Sequence, residues 1–253
     1  MMRVDLNCDV GELPEAIADG SQEAILRQVT SANIACGGHA GDAAMMRATI
    51  EQAQRCGVAI GAHPGYEDRA NFGRVALALS SEQLAASVYR QVIALAEVAE
   101  RCGATIGHVK PHGALYNQAA RDRSIARAIA EGVARWRKDV ALVGLAGSVM
   151  LEEFRAAGFA VAAEGFADRK YESDGSLRAR KFRDALLYEP AEAAAQALRI
   201  AKEGSVVAAN GTLIPLKVET ICIHGDTPGA AQIVAAVRGA LEAAGITVQA
   251  LGG

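Results

Sequence analysis

The sequence predicts an irregular or seven-stranded β/α barrel, and three observations carry that prediction. Short apolar runs alternate with helical stretches from end to end, which implies parallel strands joined by right-handed crossovers. Residues able to do chemistry follow the apolar runs, so they fall at the C-terminal ends of strands, which in a barrel form one face. At least five loops carry them. An open doubly wound sheet also alternates, but gathers its site at a switch point between few loops. A chain of 253 residues, 51% hydrophobic and 22% charged, can build such a barrel as a single domain over 1–253 with a sizeable core.

The elements follow in order. Val4 to Asp9 reads as the first strand, with Asn7 and Asp9 on one face and Cys8 on the other. Residues 13–20 read as a loop, and Ser21 to Thr30 as a short helix with Ser21 as its N-cap. Ser31 to Ala35 forms the second strand and runs into Cys36-Gly37-Gly38-His39-Ala40-Gly41-Asp42. Asp42 is placed to cap a helix over Ala43–Cys56 that ends at Gly57. Strand three, Val58 to Ala62, delivers His63-Pro64-Gly65-Tyr66-Glu67-Asp68, and a long helix spans Ser81 to Cys102. Arg101-Cys102-Gly103 repeats Arg55-Cys56-Gly57 as helix end, glycine, strand. Strand four then presents His108, Lys110 and His112 at alternate positions. A helix over Asp122–Lys138, a strand over Val140–Leu145, a helix over Ser148–Ala157 and a strand over Phe159–Ala163 follow. Beyond Glu164-Gly165-Phe166-Ala167-Asp168-Arg169 comes a basic, irregular segment from Lys170 to Glu189, then a helix over Ala191–Glu203. Val218 to Ile223 is the last strand and delivers His224-Gly225-Asp226, before a helix over Ala230–Ala244 and a weak strand-like end. The strands read as almost wholly apolar, as expected when both faces are buried.

Several classes are excluded or disfavoured. A net charge of −3 gives no electrostatic reason to expect nucleic acid or an anionic membrane as partner. No apolar run approaches the roughly 20 residues that cross a bilayer, and the entry into a strand at Val4 predicts no signal peptide. Five cysteines without CxxC or zinc spacing fit reduced thiols in a cytoplasmic enzyme. No P-loop, GxSxG elbow, HExxH helix or GxGxxG fingerprint occurs.

The residues gathered at the strand ends are Asn7, Asp9, Glu12, Asn33, His39, Asp42, His63, Asp68, Lys110, His112, Asp168, Arg169, His224 and Asp226. All five histidines lie in such places, which favours a site over incidental core or surface positions. Carboxylates beside imidazoles supply general acids and bases. Lys110, Arg169 or the amides of Gly37-Gly38 are candidates to hold a carboxylate or an oxyanion. Asp42 also reads as a plain cap, and Asp168–Arg169 as a loop ion pair. Asp9, His39 and His63 could converge on a divalent metal from three strand ends. From the residues alone the reading is a hydrolase or lyase-like acid/base enzyme.

Longer segments add to this. Asp5-Leu6-Asn7-Cys8-Asp9-Val10-Gly11-Glu12, Ala32 to Asp42, Gly61 to Tyr66, Phe72-Gly73-Arg74, Val109 to Asn117, Glu164 to Arg169 with Tyr171, and Thr220 to Gly229 together resemble the LamB/YcsF family. Arg183-Asp184 stands where the family pattern has Pro-Gly. The resemblance implies a seven-stranded β/α barrel of the glycoside hydrolase/deacetylase type. It implies a role in ATP-dependent hydrolysis of 5-oxo-L-proline to L-glutamate, with two partner subunits, B and C, that supply or share the ATP site. On that reading Asp9 or His39 serves as base, Lys110 and His112 stabilise the oxyanion or phosphate, and Glu12 or His63 protonates the leaving nitrogen. Asn7, Asn33, Asp42, Asp168, Arg169, His224 and Asp226 then bind substrate. A metal-dependent deacetylase of N-acetyl sugars and a non-catalytic substrate-binding component of the complex are the rival readings.

Overall fold

Alternation along the first strand decides which way the sheet curls. A computed structural model describes residues 2–251, and in it β1 (Arg3–Val10) is buried on both faces. Leu6, Cys8 and Val10 pack in the apolar core with the helices, whereas Asp5, Asn7 and Asp9 bond across the interior to other strands. A sheet with carboxylates and amides on one face can bury them only by closing around their partners.

It closes as a barrel of parallel strands: β1, β2 (Ser31–Ala35), β3 (Ala59–His63), β4 (Ile106–Val109), β5 (Ala141–Leu145), β6 (Ala160–Phe166) and β9 (Thr220–His224), in that order, with β9 returning to pair β1. These are the seven expected strands. Between β6 and β9 the chain makes a small antiparallel ribbon, β7 (Ser205–Val207) with β8 (Leu213–Pro215), which the sequence pattern does not reveal. The C-terminal strand β10 (Thr247–Val248) pairs with Arg3 and Val4 of β1.

The helices form the outer layer: α1 (Pro14–Ala18), α2 (Ser21–Leu26), α3 (Ala43–Cys56), α4 (Ser81–Arg101), α5 (Gly113–Ala119), α6 (Arg123–Ala134), α7 (Val149–Ala156), α8 (Pro190–Glu203) and α9 (Ala230–Ala243). Local chemistry sets their ends. Asp42 accepts from Met45 N at the start of α3, and Ser80 with Gln83 makes a capping box on α4. In α6, Ala126, Ile129, Ala130 and Val133 form the buried stripe. Short α1 replaces an expected loop, α5 is a further short helix, and α2 stops at Leu26 rather than Thr30, with Gly20 and not Ser21 at its N-cap.

Polar residues fill the interior in layers. At the N-terminal end Asp5 accepts from Ser31 (2.6 Å) and Thr30 (2.7 Å) and from Thr220. Above it Asn33 donates to Asn7 Oδ1 (2.7 Å), and Asn7 donates to Glu164 (2.9 Å) and Thr220 (2.7 Å). His108 does not reach the C-terminal mouth with the other histidines. It lies inside the barrel, 2.8 Å from Asn33 Oδ1, in space left by Gly61, where a Cβ would come within 2.1 Å of its ring.

Burial first, and the Lys110 charge second, push the His108 pKa down to about 4, against about 6.5 for an unfolded histidine. Between those values the unfolded chain binds the extra proton, so this contribution to stability is complete above about pH 6.5 and is lost as the pH falls towards 4. His108→Gln, which keeps a donor for Asn33, is expected to remove up to about 3 kcal/mol of that acid-induced loss. Urea unfolding at neutral pH and at about pH 4.5 measures it; equal losses in both proteins would contradict the assignment.

Candidate active site

Lys110 stands at the centre of the barrel's C-terminal mouth. Its Nζ lies 2.9 Å from Asp9 Oδ1, 2.9 Å from Glu164 Oε1, 3.0 Å from Cys222 Sγ and 3.3 Å from Asn7 Oδ1. An ammonium has three protons, so these acceptors engage all of them. Burial would lower the Lys110 pKa, but the negative groups around it, Asp9 foremost, hold it well above the ordinary lysine value. Burial would likewise raise Asp9, and His63 and Lys110 outweigh that, holding its carboxyl well below the usual range. Asp9 is therefore a weak base that anchors its neighbours, and Lys110 acts by charge rather than by a spare proton.

Beside this pair sit the imidazoles. His63, at the end of β3, has Nδ1 2.7 Å from the Lys110 carbonyl, which can only accept. Its Nε2 then faces His112 Nδ1 at 3.0 Å and Asp9 Oδ2 at 3.4 Å. His112, just before α5, donates its Nε2–H to the Phe72 carbonyl at 2.9 Å, which turns its own Nδ1 lone pair inward. Glu12 Oε1, just past β1, lies 3.3 Å from His112 Nδ1 and 2.9 Å from His39 Nε2. His39 and His112 stack with centroids 3.6 Å apart and planes 2° from parallel. Burial lowers the pKa of both, and for His112 the neighbouring His39 and His63 add to it. The loop over these rings depends on Gly73, at φ +63°, where a Cβ would lie 2.7 Å from that of His39.

The remaining candidates divide. Asp168 is fully buried and accepts from His224, through its backbone N–H (2.9 Å) and Nδ1 (3.0 Å), rather than pairing with Arg169. His224 holds Asp168 below the usual carboxylate range in spite of burial. Asp226 pairs with Arg74 and, at 3.6 Å, with Arg180. Asn7 and Asn33 belong to the interior network beneath Lys110. Asp42 is exposed and caps α3 by accepting from Met45 N, with no contact to the cluster around Lys110 among the described hydrogen bonds and ion pairs. Asp68 caps a 3₁₀ turn at Arg69–Asn71. The Gly37 amide is used within its own turn, donating to Ala40 O at 2.8 Å, and does not form an oxyanion hole.

A cavity of about 560 Å³ opens on the cluster, and its walls include Asp9, His63, Lys110, His112, Arg169 and Arg180. Its size suits a small organic ligand. Glu164, Tyr116, Phe166 and Cys222 also belong to the site or its edge, although the sequence does not single them out. Glu164 is concealed by the expected end of the sixth strand at Ala163. The strand runs on to Phe166, and its alternation points Glu164 inward.

Residues 4–253 match the LamB/YcsF family along nearly their whole length. The chain belongs to the LamB/YcsF family. Proteins named as the A subunit of 5-oxoprolinase are similar to it: that of Chloroflexus aggregans is 52% identical, covering 98% of this chain and 99% of the relative, and that of Methylococcus capsulatus is 50% identical, covering 99% and 96%. The crystal structure of a lactam utilization protein from Thermus thermophilus superposes with a TM-score of 0.91 at 44% identity, covering 99% of this chain and 100% of that one. A family 4 carbohydrate esterase from Streptomyces lividans, at 11% identity with a TM-score of 0.54 and covering 98% and 91%, shares the fold alone.

The central ion pair of this LamB/YcsF protein gives a direct test. Lys110→Met leaves Asp9 and Glu164 buried without their cation, and is expected to lower stability by roughly 3–5 kcal/mol, read by chemical denaturation. Adding Glu164→Gln should recover part of that loss, and a Lys110→Met protein of unchanged stability would contradict the pairing.

Proposed function

We propose that this chain is the A subunit of a 5-oxoprolinase and opens the ring of 5-oxo-L-proline to give L-glutamate, within a complex whose B and C subunits couple the reaction to ATP hydrolysis. The observation that carries this reading is Arg169. It is buried, its Nη2 donates only to the Arg178 carbonyl (2.7 Å), and its Nε has no hydrogen-bond partner. Burial, and then the like charge of Arg180, bring its pKa down to about 10, so it stays a cation at neutral pH. A buried guanidinium on the wall of a cavity, facing a like charge, calls for an anion. The carboxylate of 5-oxoproline is that anion, and full-length relatives named for the same 5-oxoprolinase component support the choice of lactam.

With the carboxylate on Arg169, the lactam carbonyl falls towards the Asp9, Lys110, His63 and His112 end of the cavity. Water adds its oxygen to the carbonyl carbon, the ring C–N bond breaks, and the proton given up by water ends on the ring nitrogen. His63 Nε2 and His112 Nδ1 turn to this end and orient the attacking water. Lys110 places positive charge where the carbonyl oxygen becomes negative. His39, bonded to Glu12, stacks on His112 and holds it in place. An unstrained lactam is a poor electrophile, and phosphorylation of its oxygen by ATP supplies both a leaving group and a driving force. This chain carries no nucleotide-binding loop motif, so the phosphorylation belongs to the partners or to a shared surface.

Glutamate release from 5-oxoproline and ATP is expected only when the chain is combined with B and C subunits; no release by a verified complex would overturn the reading. In that complex Arg169→Gln should raise KM for 5-oxoproline by roughly 10–100-fold, the value of a charged hydrogen bond, with a smaller effect on kcat. An unchanged KM would remove Arg169 from the substrate site.

A further inference from the structure

We infer that His63 Nε2, His112 Nδ1 and Glu12 Oε1 bind a divalent transition-metal ion at the inner end of the cavity. The geometry of the lone pairs points to it. Backbone carbonyls fix both ring tautomers: Lys110 O takes the His63 Nδ1 proton and Phe72 O takes the His112 Nε2 proton. Rings held this way turn His63 Nε2 and His112 Nδ1 towards each other at 3.0 Å, close enough for one proton or one metal ion to be shared between them. Fixing the distal nitrogen of each ring is how metal-binding histidines are oriented.

The spacings fit one small ion. Donors about 2.0–2.1 Å from a zinc-sized cation stand roughly 2.9–3.4 Å from one another at angles between octahedral and tetrahedral. The His63–His112 and His112–Glu12 separations are 3.0 and 3.3 Å. Two imidazoles and a carboxylate are a donor set for Zn²⁺ and its neighbours rather than for Ca²⁺ or Mg²⁺.

Charge and backbone strain point the same way. Among the described ion pairs Lys110 is shared by Asp9 and Glu164, whereas buried Glu12 meets only the imidazoles of His39 and His112, so a cation held beside Glu12 would neutralise a carboxylate that has no lysine or arginine partner. Phe72 adopts φ 54°, a left-handed conformation costly for a bulky residue, and this conformation accompanies the carbonyl contact that sets the His112 tautomer. His39 supports the set from outside. Stacked face to face on His112, it cannot aim an in-plane lone pair at the same point, and it instead meets Glu12 at 2.9 Å. A second cluster, Asp9, Cys222 and His224, is not an equivalent candidate, because Lys110 already holds its Asp9 and Cys222 atoms. When bound, such an ion would supply an activated water at neutral pH.

The test is metal binding itself and needs neither substrate nor partners. Chelator-treated full-length protein, titrated with Co²⁺ and followed by visible absorption, is expected to take up one ion per chain with a saturable ligand-field band and no thiolate charge-transfer band. Zn²⁺ should displace it. Glu12→Gln and His112→Ala should weaken binding by roughly 10-fold or more, His39→Ala should weaken it by roughly 10–100-fold as an outer-shell change, and Cys222→Ser should leave it unchanged. Wild-type protein that fails to bind Co²⁺ or Zn²⁺ stoichiometrically at micromolar concentrations overturns the inference without recourse to any variant. So does binding that survives in folded His112→Ala protein or is lost in Cys222→Ser.

Discussion

A buried ammonium organises this barrel. Lys110 is enclosed by Asp9, Glu164, Asn7 and Cys222, contributed by three other strands. Each of these groups would be costly to bury alone, and together they compensate one another. The strands that carry them are thereby tied around a common point. The same contacts fix where the active-site groups stand, since Asp9 reaches His63 with its other oxygen and the Lys110 carbonyl holds the opposite side of that ring.

Below this point the interior is an ordered column of amides, hydroxyls and His108 rather than the branched aliphatic layers usual in β/α barrels. Such a network specifies register closely, because a one-residue slip of a strand would place its polar groups among the helices. Above it, the chemistry is built from loops. The chain around Phe72 and Gly73 lies against the imidazoles of His39 and His112, so the loop between β3 and α4 is a wall of the site as well as a connection. The cavity wall combines the carboxylate of Asp9 and the imidazoles of His63 and His112 with the cations Lys110, Arg169 and Arg180.

Much of this is legible in the sequence. Alternating strands and helices, with His, Asp, Glu and Lys after the apolar runs, lead to a closed parallel barrel and its C-terminal face, and the quoted segments lead to the LamB/YcsF family. Asp9, Glu12, His39, His63, Lys110 and His112 do meet in space. The reason is that the period of a strand and the handedness of a crossover are local properties, which residue spacing records directly.

Tertiary structure decided the rest. Sequence placed His108 and Asp42 beside the site residues, but depth within the barrel separates His108 from the mouth, and Asp42 is spent on a helix start. Glu164 and Tyr116 joined the site only because strands and helices far apart in the chain converge on Lys110 and the cavity. Ring tautomers, the stacking of His39 on His112 and the missing partner of Arg169 depend on contacts across dozens of residues. Spacing along the chain sets which face a side chain is on; only the closed barrel sets how deep it sits, what it touches and which charges it must balance.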